Sequence, residues 1–209
     1  MTLLQTVQVS SSCTSVCQYE GNTYVGLHNQ TIDRIDGSYQ LSKSFLSGFS
    51  NLVGSVRVYK DRVYSLVPGN PHIVDVRDLM GNFITCWYHE DSYRYHANQL
   101  VIIDDQVIIP NRQTKQLTFY SLTGEVIKQL PCPLFGNQYV AMCAANNQSV
   151  IVSDYKSSQV FKVNISTGEV IWTCKQIPLL GGVACGRTRV FVANSSTKIK
   201  IWILDVNTG

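Results

Sequence analysis

The fold is decided by residues 141–174, which read AMCAANNQSVIVSDYKSSQVFKVNISTGEVIWTC. This stretch holds four short runs rich in apolar and β-branched residues, separated by turns that carry Asn, Asp, Ser and Gly. Similar units begin near residues 15, 55, 99 and 182, so the chain repeats the pattern five times. A period in the low forties built from short strands is the signature of a β-propeller. The anchor residues of the five first runs are Val16, Val56, Leu100, Met142 and Val183.

Each unit predicts one blade of four antiparallel strands. Polar and apolar residues largely alternate in the third run, as at Val160–Val163, which is typical of a strand with one face more buried. A turn with glycine follows, and glycine adopts the positive φ that a tight hairpin needs. The fourth run is clearest at Glu125–Leu130 and Glu169–Cys174. The turn glycines are Gly37, Gly81, Gly124, Gly168 and Gly209.

The two ends of the chain complement each other. The last unit stops at Gly209, where a fourth strand should begin, and Thr2–Val9 has the composition of such a strand. We therefore expect residues 2–9 to complete the blade that starts near 182 and to remove its open edges. This predicts an all-β, five-bladed propeller that forms a single domain over residues 1–209. A five-unit slice of a longer propeller would have the same pattern, so a six-bladed ring with one missing unit stays open.

Composition indicates a folded protein outside the membrane. Hydrophobic residues make up 44% of the chain and charged residues 15%, with a net charge of +3, which excludes a disordered class. No apolar run is long enough to span a membrane, and the N-terminus lacks the basic region of a signal peptide. Seven cysteines without a CxxC pair predict free core thiols in a reducing, cytoplasmic compartment. Four glycosylation sequons point weakly the other way, at Asn29, Asn147, Asn164 and Asn194.

The sequence predicts neither an enzyme nor a metal or organic cofactor. Asp, Glu and His are absent from the first run of every unit, where a propeller enzyme would place its working groups. A glycosidase needs two facing carboxylates, and a calcium site needs several converging oxygens. Two alternatives stay open: a metal held by His89, Asp91 and His96, and a loop-built site of a propeller enzyme or lectin-like ligand binder. The residues considered for that loop-built site are His28, His72, His96 and Asp154.

The second and third runs resemble the NHL and YVTN families of propeller repeats. Residues 150–163 and 190–202 each consist of an apolar run, a polar loop and a second apolar run. The first run of these families ends in Ala-Asp, and here it ends in Ser153-Asp154 and Ala193-Asn194. Residues 166–172 resemble turns of WD-type and quinoprotein-type propellers, although the Trp-Asp dipeptide of WD repeats is absent. The chain most resembles the NHL-like propeller at the C-terminus of tripartite-motif proteins, here without RING or B-box residues upstream. That resemblance implies a docking platform for protein or RNA.

The predicted function is that of a non-catalytic scaffold that binds a protein partner through its loop rim. Aromatic and Arg side chains are enriched among binding hot spots, and the predicted loops carry several of them. The alternative is single-stranded RNA binding on the same rim, with phosphates held by Arg94, Arg112, Lys115, Lys156 and Lys198. The predicted partner-binding residues are Tyr93, Arg94, Tyr95, His96, Arg112, Tyr139, Tyr155 and Lys156.

Overall fold

A computed structural model describes residues 6–91, 99–132, 140–175, 177, 180–194 and 201–207. Within these residues the chain forms nineteen β-strands in five antiparallel sheets, each made of strands that follow one another in sequence. The structure therefore confirms an all-β, five-bladed β-propeller with mostly four-stranded blades. In the described part of the chain, no helix has the length and apolar character that crossing a bilayer would require.

The chain divides into two compact units, and the first, Met1–His89, contains blades one and two. Their strands pair in the order in which they occur along the chain. Blade one consists of β1 (Cys13–Tyr19), β2 (Asn22–Leu27), β3 (Ile32–Ile35) and β4 (Leu41–Leu46). Blade two consists of β5 (Ser55–Tyr59), β6 (Arg62–Val67), β7 (His72–Asp78) and β8 (Phe83–His89).

The second unit, Glu90–Gly209, contains blades three, four and five. Blade three consists of β9 (Val101–Ile103), β10 (Gln106–Asn111), β11 (Gln116–Ser121) and β12 (Val126–Pro131). Blade four consists of β13 (Val140–Asn146), β14 (Ser149–Asp154), β15 (Gln159–Asn164) and β16 (Val170–Lys175). Blade five consists, in the described residues, of β17 (Leu180–Cys185), β18 (Arg189–Asn194) and β19 (Ile201–Asp205).

The predicted N-terminal strand is described only in part. Residues 1–5 lie outside the described residues, and residues 6–9 are not in a strand. Just after them, the backbone N–H of Ser10 donates to Asp33 Oδ2 at 2.9 Å, which fixes the N-terminal segment on blade one. Closure of blade five by residues 2–9 therefore stays a prediction, as does the single domain over residues 1–209.

Three layers of the hydrophobic core each lie between consecutive blades of the same unit. One layer joins blades one and two around Val56 and Val63, a second joins blades three and four around Phe119 and Phe161, and a third joins blades four and five around Val190. The second strand of a blade is covered on both faces, so it is buried almost throughout, as in β14. The last strand is covered on one face and alternates between partly buried and exposed residues, as in β16.

In each of the four four-stranded blades, one side chain builds the turn between the third and fourth strands. Asp36 Oδ1 accepts from the backbone N–H of Ser38 and Gln40, at 2.9 Å each, and the other three blades repeat this motif. Because the acceptor is a short polar side chain two to four residues away, each turn is specified locally. The four acceptor residues are Asp36, Asp78, Ser121 and Asn164. At the end of β19, Asp205 Oδ1 accepts from the backbone N–H of Asn207 at 2.7 Å, and the predicted turn residue Gly209 lies outside the described residues.

The predicted role of glycine in these turns holds in three blades and fails in the first. Gly81, Gly124 and Gly168 have positive φ. In blade one the backbone N–H that donates to the Asp36 carbonyl belongs to Tyr39, and Tyr39 has the positive φ of 63° in place of Gly37. The first turn therefore places a tyrosine in the left-handed conformation that glycine adopts without steric strain.

Candidate protein-binding surface

Three of the eight predicted partner-binding residues can be placed. Tyr93, Arg94, Tyr95, His96 and Tyr139 lie outside the described residues. The described ones are Arg112, Tyr155 and Lys156, all in the second unit.

Tyr155 and Lys156 lie in the turn between β14 and β15 of blade four. The carboxylate of Asp154 is buried, and its Oδ1 accepts from the backbone N–H of Lys156 at 2.9 Å and of Ser157 at 3.3 Å. This contact fixes the turn so that Lys156 is exposed and Tyr155 is half-buried. Both side chains are therefore in positions from which they can contact a partner.

The prediction that Arg112 is an exposed rim residue is wrong. Its side chain is fully buried, and its Nε donates to Asp91 Oδ2 at 3.1 Å. The preceding residue, Asn111, donates from Nδ2 to the carbonyl of Glu90 at 2.6 Å, so both residues hold the same short segment. A permanently charged, planar guanidinium is the cation best suited to a buried pair with a carboxylate. Arg112 is therefore a structural residue that anchors residues 90–91 to the end of β10.

Four described residues of the two alternative polar sites, His72, His89, Asp91 and Asp154, have structural contacts, whereas His28 is exposed. Asp91 pairs with Arg112, while His89 is buried in β8 and stacks on His72, with 6.2 Å between ring centroids. His72 starts β7, and its Nδ1 accepts from the backbone N–H of Gly69 at 3.0 Å. Across the described ranges, no three His, Cys, Asp or Glu side chains are grouped as metal ligands. His96 lies outside those ranges, and the absence of an enzyme activity or cofactor stays a prediction.

Blade five has an apolar hollow of about 260 Å³ on one face of its sheet. Its walls carry no side chain that could orient a polar ligand or act as an acid or base, which a small-molecule site needs. The hollow is lined by Gly182, Val183, Ala184, Phe191, Ala193 and Ile201.

Blade two has an exposed apolar strand edge that the repeat pattern of the sequence does not reveal. Strand β8 is the last strand of its sheet, and among the described residues it pairs only with β7. Phe83 and Tyr88 are 61% and 63% exposed, Ile84 is 40% exposed, and Met80 in the preceding turn is 85% exposed. A strand edge offers unpaired main-chain donors and acceptors, so an apolar one is prone to pair with another chain.

A comparison with the other four-stranded blades sets β8 apart. Their last strands each contain a lysine, the residue that most often protects an edge against pairing: Lys43 in β4, Lys128 in β12 and Lys175 in β16. Strand β8 reads FITCWYH and has no lysine, arginine or carboxylate. The lack of a charged residue in β8 can be read from the sequence once the strand is known to be the outermost of its blade. We name residues Met80 and Phe83–His89 the β8 edge.

Comparisons with known proteins support the fold alone. No family model matches the chain, and no curated protein matches it. A Bacteroides caccae protein of unknown function shares 10% identity at a TM-score of 0.72, over 97% of this chain and 81% of its own. A functionally unknown protein from Desulfotomaculum acetoxidans shares 12% identity at 0.70, over 97% and 69%. The computationally designed Ika8 protein shares 16% identity at 0.62, over 92% and 58%.

At sequence identities this low, the comparisons show that the folds are similar but support no inference about function, because propellers have many unrelated functions. The chain is a five-bladed β-propeller that resembles bacterial proteins of unknown function.

Proposed function

We propose that this protein is a non-catalytic scaffold that binds a protein partner, and that an extended segment of the partner pairs with the β8 edge. The observation that carries the proposal is the combination of an outermost strand without a charged residue and three exposed apolar side chains on it, Phe83, Ile84 and Tyr88. Strand addition requires both features, because main-chain hydrogen bonds supply affinity and alternate side chains supply specificity.

The side-chain pattern of β8 suits this mode of recognition. Ile84, Cys86 and Tyr88 are exposed at alternate positions, while the intervening Trp87 is buried. Exposed side chains at alternate positions lie on one face of a strand, so a pairing segment would set its own alternate side chains beside them. Aromatic residues such as Tyr88 contribute large contact areas at interfaces.

The loop rim is the second contact region of this proposal. Its described members are Tyr155 and Lys156, and Tyr93, Arg94, Tyr95, His96 and Tyr139 are proposed members outside the described residues. The resemblance to NHL-like propellers of tripartite-motif proteins supports a docking role. The free state of all seven cysteines supports a reducing, cytoplasmic location.

A peptide selection tests the β8 edge without a known partner. A library of random extended peptides displayed on phage is selected against the wild-type protein, and the enriched peptides are titrated against two lysine variants. Ile84→Lys places a charge on the β8 edge, and Ile171→Lys is the matched control at the second position of β16, where Ile171 is 50% exposed. We expect at least about tenfold weaker binding to Ile84→Lys and no change with Ile171→Lys. Equal binding to both variants, or no enriched peptide, would overturn the proposal.

Single-stranded RNA binding is the competing proposal, and burial of Arg112 removes one of its five cations. Lys115 and Lys156 are the exposed members among the described residues. Fluorescence-anisotropy titrations with mixed RNA oligomers at two salt concentrations decide between the two proposals. Affinity that falls with salt would support RNA, because phosphate binding releases counterions.

A further inference from the structure

Two thiols from consecutive blades meet in the second unit. Cys143 lies on β13 of blade four and Cys185 ends β17 of blade five, and these two strands pack against each other. The Cys143 and Cys185 side chains pack against the same apolar layer between these blades, where a side-chain hydrogen bond links them, and both are partly exposed. The Cys185 thiol also donates to the carbonyl of Gly186 at 3.4 Å. A small solute can therefore reach a pair of sulfur atoms that the fold already holds together.

A buried lysine lies on the same face of blade four as Cys143. In the register of β13, β14 and β15, Cys143 pairs with Ile151 and Ile151 pairs with Lys162, so the three side chains form one cross-strand row. The Lys162 amine is held in place by donating to the carbonyl of Val206 at 3.1 Å, and the residue is only 7% exposed. A positive charge in this partly buried environment is poorly screened and stabilises a nearby thiolate.

These contacts distinguish Cys185 from the other thiols. The hydrogen bond with Cys143 and the charge of Lys162 lower the pKa of Cys185 to about 7, although burial opposes them. In contrast, burial raises the pKa of Cys13 and of Cys17 in blade one. Cys174 on β16 packs against the same cluster as Cys143 and is the third thiol on this face.

We propose that Cys143 and Cys185 form an oxidisable thiol pair, a modification site at which a small peroxide converts the two thiols into a disulfide between β13 and β17. The inference is independent of the proposed partner binding.

The reaction balances in two steps with hydrogen peroxide as the two-electron oxidant. The Cys185 thiolate attacks one peroxide oxygen, the O–O bond breaks, and the products are a sulfenic acid on Cys185 and hydroxide, which takes up a proton to become water. The Cys143 sulfur then attacks the Cys185 sulfur and forms the S–S bond. The hydroxyl group leaves with the Cys143 proton as a second water.

Oxidation of the full-length protein tests the proposal. At pH 7 about half of Cys185 is thiolate, against about 3% of an ordinary thiol. A thiolate of lower pKa is also a weaker nucleophile, which offsets part of the gain in reaction rate. We therefore expect Cys185 to react roughly threefold to fourfold faster than Cys86, an exposed thiol on β8, with both hydrogen peroxide and iodoacetamide. Peptide mapping by mass spectrometry should find a Cys143–Cys185 disulfide in the wild type. Cys143→Ser should instead give a Cys185 sulfenic acid that dimedone traps, and Cys185→Ser should give neither product.

Lysine variants separate a positioning role of Lys162 from a structural one. Lys162→Met should move the midpoint of the iodoacetamide pH profile of Cys185 upward, and Lys162→Arg should restore it, because only the charge is required. If Lys162→Met does not fold, the cysteine variants alone decide. The proposal is wrong if wild-type Cys185 is oxidised no faster than Cys86, if it stops at a stable sulfenic acid, or if the disulfide joins other cysteines.

Discussion

Arg112 donates from Nε to Asp91 Oδ2 across 3.1 Å, and the structure buries both side chains completely. The two residues are 21 positions apart, and the backbone N–H of Arg112 approaches the same Asp91 oxygen at 3.4 Å. One carboxylate oxygen of Asp91 therefore accepts from both the backbone and the side chain of Arg112, the residue that follows β10. A buried pair of this kind contributes little net stability as a pair, but removal of one member leaves an uncompensated charge.

Replacement of Arg112 with alanine should destabilise the protein by about 3 to 5 kcal/mol, because Asp91 would lose its buried counter-charge. Urea unfolding followed by tryptophan fluorescence measures the change. Arg187→Ala, at an exposed position, is the matched control and should stay within about 0.5 kcal/mol of the wild type. The double variant Asp91→Leu with Arg112→Met removes both charges and should recover much of the loss. A stable Arg112→Ala variant would contradict the structural role.

Replacement of Tyr39 with glycine should stabilise the protein by about 0.5 to 1 kcal/mol. Tyr39 has a φ of 63° and a half-exposed side chain, so glycine relieves backbone strain and removes little packing. The reverse change in blade two, Gly81→Ala, should destabilise by about 1 to 2 kcal/mol. There φ is 90°, and an added Cβ would lie 3.0 Å from Leu46 Cδ2. Thermal melts of both variants measure the effects, and equal melting temperatures would show that the left-handed position carries no strain.

Alkaline pH should weaken the folded state between about pH 10 and 12 through Tyr120. Burial, and to a smaller extent the charge of Glu90, raises the pKa of Tyr120 to about 12. An unfolded tyrosine loses its proton near pH 10, so in this window the folded state holds more protons and stability falls as pH rises. Tyr120→Phe should flatten the decline over this interval in urea titrations. An unchanged slope would mean that Tyr120 titrates normally.

Deletion of Met1–Val9 should reduce solubility if residues 2–9 complete blade five. Strand β19 carries Ile201 and Ile203, which are 65% and 55% exposed, and the deletion would leave its edge open to pairing with other chains. Light scattering and size-exclusion chromatography detect the resulting association. A synthetic peptide of residues 2–9 added in trans should restore a monodisperse protein. If the truncated chain melts and elutes like the full chain, the closure prediction is wrong.

The fold could be predicted from the sequence because its information is local and repeated. Alternating apolar residues and short polar turns recur with a fixed period, and each third-to-fourth strand turn is specified by a side chain such as Asp36 or Asn164 within it. The strand starts of blades one to five follow the predicted repeat starts closely.

The surface could not be predicted in the same way, because it depends on contacts between distant residues. No residue near Arg112 in the sequence indicates that its side chain will be buried in an ion pair with Asp91. In the same way, no residue near Cys143 indicates a contact with Cys185. The β8 edge was overlooked for a different reason. Its apolar residues are those of an ordinary core strand, and only its outermost place in the sheet makes Ile84 and Tyr88 exposed.

The four locally closed turns have a consequence for how the chain folds during synthesis. A hairpin whose turn is held by a contact such as that of Asp36 with Gln40 N–H needs no residue from a later blade. Closing so short a loop takes far less time than the ribosome needs to add the next blade. We expect the nascent chain to acquire its hairpins in order as they emerge, and the slow, non-local step to be the stacking of finished hairpins into layers.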